Sequence, residues 1–230
     1  MVSNNTGWYT HCLARETGRI GHLYSPDGWR RPVPWLPYAL DNGAFSCWDR
    51  KTNFFDQVEW EQMYPKWQHL VYRAATASQR PLWAIVPDTP GNAVETIEKY
   101  KAYVQQVIDA EIPPALAVQD GMTPDMVKSL YPSPVVIAIG GTDQFKWSTV
   151  ELWKKEFKRV HLLRCNMPEK LQYLEDLGIE SCDGTGWVKG SRRQFLGLED
   201  WARKKCDPKF FSLTQHVFCK ERNGQQEWAF

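Results

Sequence analysis

Net charge is almost absent from this 230-residue sequence: 28 Lys and Arg oppose 27 Asp and Glu, a formal balance of +1. There is thus no global electrostatic pull toward an acidic polymer. Cysteine is sparse, at positions 12, 47, 165, 182, 206 and 219, with no CxxC pair. With no signal peptide ahead of them, these thiols point to a reducing cytoplasm rather than a disulfide framework. No apolar run approaches the ~20 residues that a membrane-spanning helix needs. Internal repeats, low-complexity segments and domain-boundary signals are missing too, so residues 1–230 are expected to form one domain. What is present is a large core: 43% of residues are apolar, and 12 are tryptophan.

Short apolar runs alternate with amphipathic stretches, the pattern of repeated βα units. Seven runs are expected as strands: 8–14 (WYTHCLA), 38–41 (YALD), 82–88 (LWAIVPD), 115–120 (ALAVQD), 135–141 (VVIAIGG), 159–165 (RVHLLRC) and 179–183 (IESCD). Most are too apolar for a half-exposed antiparallel sheet and suit a parallel sheet buried on both faces. Helices are expected over 92–110 and over 56–77, where Pro65 should break or kink the element. Ser148 and Glu151 have the spacing of a capping box, and Gly178 follows a leucine-rich turn as a C-terminal stop. The fold expected is α/β, a compact TIM-like (β/α)8 barrel whose eighth strand is hard to see; the tail beyond 209, with its Asn223-Gly224 turn signal, is one source for it. A doubly wound open sheet is the competing architecture.

In such folds the chemistry sits at the C-terminal strand ends. Five expected strands end on polar or glycine signals: Asp41-Asn42-Gly43, Asp88-Thr89-Pro90, Gln119-Asp120-Gly121, Gly140-Gly141-Thr142 and Asp183-Gly184. One strand-end Asp is commonly a helix cap or turn former. The set together suits a polar heterocycle, because carboxylates accept from ring N–H and amino groups while an amide and backbone N–H donate to a carbonyl. Paired carboxylates also suit glycosidic chemistry, one trapping an oxocarbenium-like centre and the other moving protons.

These stretches, in order, resemble the tRNA-guanine transglycosylase superfamily, and most closely its phage and bacterial DNA-modifying branch, the DpdA-type 7-deazaguanine DNA transglycosylases. DNGAFS at 41–46 resembles the family's DSGGFQ, and VPDTP at 86–90 its strand-end Asp context. AVQDG at 117–121 resembles IVQGG, AIGGT at 138–142 resembles AVGGL, and GIESCDG at 178–184 resembles GIDMFDC. The resemblance implies Asp183 as the nucleophile at the sugar C1′ and Asp41 as the acid/base. It implies Asp88, Gln119, Gly140 and Gly141 as readers of the base, with Phe45 and Leu163 as its stacking walls. The implied reaction exchanges guanine in a polymer for a free 7-deazaguanine of the preQ0 or preQ1 kind and requires no cofactor.

The sequence departs from the pattern in three places. GTGWVKG at 184–190 replaces the family's LPTR, and Arg164 stands where the family often has glycine. The zinc motif of the tRNA enzymes is absent; Cys206, His216 and Cys219 offer three ligands where a structural zinc takes four, so zinc is not expected. That loss favours DNA over tRNA as the polymer. A basic segment begins near 188, and Lys189, Arg192 and Arg193 are its candidate phosphate contacts beside the nucleophile, a solvated helix face being the alternative. Trp48 and Trp187 are candidate neighbours of the stacked base. Rival activities are guanine exchange in tRNA, N-glycoside hydrolysis, and a catalytically silent nucleic-acid-binding barrel. A homodimer or accessory proteins are compatible with all of them.

Overall fold

The computed structural model describes residues 1–3, 7–49, 51–52 and 54–204. Its strands are β1 (Val2–Ser3), β2 (His22–Tyr24), β3 (Tyr38–Leu40), β4 (Trp48–Asp49) and β5 (Phe54–Phe55). They continue with β6 (Ala84–Ile85), β7 (Pro114–Val118), β8 (Val136–Ile139), β9 (Val160–Leu162) and β10 (Ser181–Cys182). Eight of them form one sheet in the order β1-β2-β3-β6-β7-β8-β9-β10, every pair parallel, and β4 and β5 form a separate antiparallel pair. The main helices are α1 (Trp8–Thr17), α2 (Gln57–Ala75), α3 (Ala93–Asp109), α4 (Pro124–Lys128) and α5 (Asp143–Glu156), followed by α6 (Leu171–Asp176), α7 (Gly186–Lys189) and α8 (Arg192–Arg203).

The parallel sheet curls, giving a TIM-like α/β arrangement. Neighbouring strands lie ~4.8 Å apart, so β6 and β9, three places apart, would be ~14 Å apart in a flat sheet. Instead the Trp83 ring, just before β6, lies 4.6 Å from the His161 ring on β9. The concave face carries mostly small side chains, Ala39, Ala115, Ala117 and Ala138, with Leu23, Ile85, Val136 and the fully buried Trp83 filling the space. The convex face packs Tyr38, Leu40, Leu116, Ile137, Ile139 and Leu162 against the helices in a second, larger core. Both faces being buried explains the near-continuous apolar runs of β7 and β8.

Two expectations need correction, and a third falls outside the described residues. Residues 8–14 are helical, within α1, because Thr10, Leu13 and Ala14 bury one stripe at helical spacing. The sheet takes its additional strands from β1 and β2 near the N-terminus; the tail proposed for that role lies outside the described residues. Ser148 is inside α5, its hydroxyl donating to Phe145 O at 3.2 Å, and the cap is Thr142, which accepts from Phe145 N. Pro65 is accommodated within α2, whose Trp60, Met63, Trp67, Leu70 and Val71 are all buried, so packing outweighs the broken hydrogen bond. Asn92 and Thr123 cap α3 and α4, with Pro124 at the first helical position of α4. Gly178 ends α6 in the left-handed region, φ 73°.

Thr142→Ala should cost about 1 kcal/mol of stability and Ser148→Ala less than about 0.5. Paired urea titrations of the two variants check this, and equal losses would place the cap wrongly.

Candidate active site

Side chains alternate between the faces of a strand, so a residue two beyond a concave-face position projects above the same interior. Asp41 follows Ala39, Gln119 follows Ala117, Gly140 follows Ala138, Leu163 follows His161, and Asp183 follows Ser181. The expected site residues therefore come together at one end of the curled sheet. A Cβ built on Gly140 would lie 3.4 Å from Gln119 Nε2 and 3.5 Å from Leu163 Cδ1, which puts those three side by side.

Asp183 is the most tightly held of the acids. Its Oδ1 accepts from His161 Nε2 at 3.1 Å and from the Arg164 backbone N–H at 2.9 Å. The buried His161 meets Ser181 Oγ through its other nitrogen, Nδ1, at 2.8 Å. Burial lowers the affinity of His161 for a second proton, so at neutral pH it is a neutral ring. It then donates from Nε2 to the carboxylate and accepts at Nδ1 from the serine. Burial alone would raise the Asp183 pKa, but the His161 and Arg164 donors outweigh it and hold the carboxyl below its ordinary range.

Asp41 is the opposite case. Burial, then the negative charges of Asp183 and Asp88, push it up to about 7, although the Asn42 N–H donates to its Oδ1 at 2.9 Å. Asp88 is raised to about 6, chiefly by burial. Two amides partly offset that burial: Asn42 Nδ2 donates to Oδ1 at 2.8 Å and Gln119 Nε2 to Oδ2 at 2.7 Å. The Gly91 N–H donates to Gln119 Oε1 at 3.3 Å, fixing the amide so that one of its two N–H groups is committed to Asp88. At neutral pH the site thus holds one firmly ionised carboxylate, Asp183, beside one poised to carry a proton, Asp41. Asp120 is a different kind of residue. It accepts from the Thr142 N–H at 2.7 Å and hydroxyl at 2.6 Å and clips two loops together.

Phe45 lies on the turn after β3 and is 37% exposed, enough for one face to be reached by a ligand. Its ring meets Trp48 edge-on at 5.7 Å and carries the Arg164 guanidinium at 4.1 Å from its centroid. Arg164 has a positive φ of 56°, and its side chain donates to Gly141 O at 2.9 Å. Gly141 has φ 71°, and a Cβ there would stand 2.2 Å from Asp120 Oδ2, so only glycine fits. Trp187, considered as a base neighbour, is a core residue at 1% exposure, whereas Trp48 is half-buried beside Phe45.

Lys189, Arg192 and Arg193 are exposed, at the end of α7 and the start of α8. Arg192 and Arg193 flank a shallow groove with Pro168 and Leu196. Arg203, further along the basic run, is an internal clamp, bound to Glu16 at 2.6 Å and Glu199 at 2.9 Å. Cys206, His216 and Cys219 lie outside the described residues. A cavity of about 370 Å³ opens at the opposite end of the strands, lined by Ile20, Pro37, Leu82 and Ile179 among others. The carboxylates and amides are not among its lining groups, so the chemistry and that void are separate.

Three residues of the site carry no sequence expectation, His161, Lys146 and Ser181, and Asn42 enters the sequence reading only as part of the Asp41-Asn42-Gly43 strand end. His161 had a visible signal, an imidazole in the middle of an apolar strand, two residues before a concave-face position. Lys146 is 1% exposed, pairs with Asp143 at 2.8 Å and donates to Leu163 O at 3.2 Å, so it anchors the turn that delivers the Arg164 N–H.

No protein-family model and no curated protein matches the chain. Among solved structures, a cube-shaped, highly porous protein cage designed by fusing symmetric oligomeric domains is similar at 10% identity and a TM-score of 0.47, over 96% of this chain and 74% of that one.

Asp41 and Asp88 keep their protons to about pH 7 and about pH 6, against an ordinary value of 3.8 for each. The folded chain then binds more protons than the unfolded chain across this window. Their contribution to stability is complete below about pH 4 and is lost as pH rises through the folded values. Asp41→Asn removes the cost of ionising that carboxyl, and at pH 8 it should be more stable than the parent by roughly 2 kcal/mol. Urea unfolding at pH 5 and pH 8 measures this; a variant no more stable at pH 8 contradicts the raised Asp41.

Proposed function

We propose that the protein exchanges guanine in DNA for a free 7-deazaguanine base through a covalent glycosyl-aspartate. The observation that supports this best is the meeting of two acids at one strand-end mouth, Asp183 buried with two donors on Oδ1 and Asp41 half-buried beside it. Asp183 is held below its ordinary range by a histidine and a backbone N–H, and Asp41 is pushed up to about 7 by burial and neighbouring charge. The ordered resemblance to the transglycosylases supplies the reaction class.

In the first step a carboxylate oxygen of Asp183 attacks C1′ as the bond to guanine N9 breaks, and the Asp41 proton passes to the departing base. Both bonds described for Asp183 fall on Oδ1, which makes Oδ2 the attacking atom. In the second step the incoming base gives its N9 proton to the Asp41 carboxylate while N9 attacks C1′ and Asp183 leaves. Two inversions preserve the β-anomer. Asp88 is set to accept from ring N–H and amino groups, held flat by Asn42 and Gln119. The target nucleotide must leave the duplex stack at a cost of a few kcal/mol, offset by stacking on Phe45 and by pocket contacts. Lys189, Arg192 and Arg193 would meet the flanking phosphates. On the same proposal the sheet closes as a full (β/α)8 barrel across β1 and β10, a closure supported by the hydrogen bond from Met1 N to Cys182 O.

Incubation with radiolabelled guanine and either duplex DNA or tRNA tests the proposal. Label should enter DNA; label in tRNA would move the assignment to the tRNA branch, release of guanine without incorporation to a hydrolase, and no reaction by a folded protein would remove the exchange altogether. Asp183→Asn should lower exchange at least 10³-fold (order of magnitude for a lost nucleophile) while DNA binding in a gel-shift titration stays within about twofold. The rate profile of the parent should decline above about pH 7 as Asp41 loses its proton. A profile level to pH 9 would exclude Asp41 as the acid.

A further inference from the structure

The Arg164 guanidinium, 4.1 Å from the centre of the Phe45 ring, covers a face of the aromatic expected to stack on the base. A planar ring inserted between them would need about twice that spacing, since each stacked layer takes ~3.5 Å. Arg164 and a base therefore compete for one surface. The same guanidinium holds Gly141 O at 2.9 Å, so it also restrains the residue whose N–H is expected to read the base. We infer that Arg164 is a latch on the base slot: its side chain covers Phe45 and restrains Gly141 in the empty site, and an entering heterocycle displaces it. This inference rests on the base-exchange proposal and adds how that site is regulated.

The main chain at 164 is suited to such a movement. Its N–H stays on Asp183 Oδ1, and Lys146 holds the preceding carbonyl, so the turn is pinned while the side chain is the moving part. The nucleophile thus keeps its orientation whether the latch is shut or open. Arg164 has left-handed backbone, which glycine and asparagine tolerate, so both replacements retain the N–H while removing the reach to Phe45.

The probe is free guanine, with binding followed by calorimetry on the full chain. A cation–π contact of ordinary strength, removed from the empty state, should tighten guanine binding roughly 3- to 30-fold in Arg164→Gly. Arg164→Asn provides the same test if the glycine variant is too unstable to handle. Binding that is unchanged or weaker in a folded variant, with the parent still binding guanine, overturns the latch and leaves the exchange proposal standing. Failure of both parent and variant to bind guanine overturns the base-exchange proposal, and the latch with it.

Discussion

The site depends on a pair of donors converging on one oxygen, Asp183 Oδ1. A buried carboxylate is stable only where donors replace lost water, and here they come from the interior through His161 and from the main chain through Arg164. Each donor makes demands of its own. His161 needs a partner at Nδ1, supplied by Ser181 on the adjacent strand, and a floor, supplied by Trp83. The Arg164 N–H needs a left-handed turn, which Lys146 anchors from α5. The register of β9 and β10, with His161 opposite Ser181, is what permits this arrangement.

Asp88 and Asp183 are buried and Asp41 is half-buried, yet burial does not order their proton affinities; their partners do. Asp183 has a ring N–H and a main-chain N–H; Asp88 has two side-chain amides; Asp41 has main-chain support and two negative neighbours. The same low-dielectric pocket thereby holds a base and an acid at one pH. Such a division is what a two-step displacement would need, and the function proposed for the chain rests on it.

Much of the frame was legible in the sequence. The runs that became β7, β8 and β9 are β-branched or alanine-rich, bounded by Pro, Gly or charged residues, and buried on both sides. The acids could be placed because each ends such a run. Less visible were β1 and β2, two and three residues long, whose strand state follows from pairing with each other and with β3. Trp8–Thr17 misled because its aromatics and branched residues favour strands locally while its buried stripe is helical. His161 and Asn42 acquire their roles only across strands, through partners 22 and 46 residues away, beyond the range of any local pattern. Arg164 was noted as out of place, yet its function depends on a backbone angle that side-chain identity does not reveal.

The turn bearing Phe45 is braced from outside the sheet. Ala44 and Cys47 pack with Trp60 and Met63 of α2 in a small apolar cluster of their own, apart from both faces of the curled sheet. Phe45 is thus held from α2 as well as from the sheet, and the same helix reaches the acids through Lys99. Trp60 also carries the Lys99 ammonium 4.7 Å from its ring centre, and Lys99 donates to Asp88 O at 3.3 Å, so a change at Trp60 would reach the acids as well as Phe45. On the proposed function, the aromatic that meets the heterocycle and the acid that reads it would share this one brace, so a change that alters ligand preference would also shift proton affinity at Asp88.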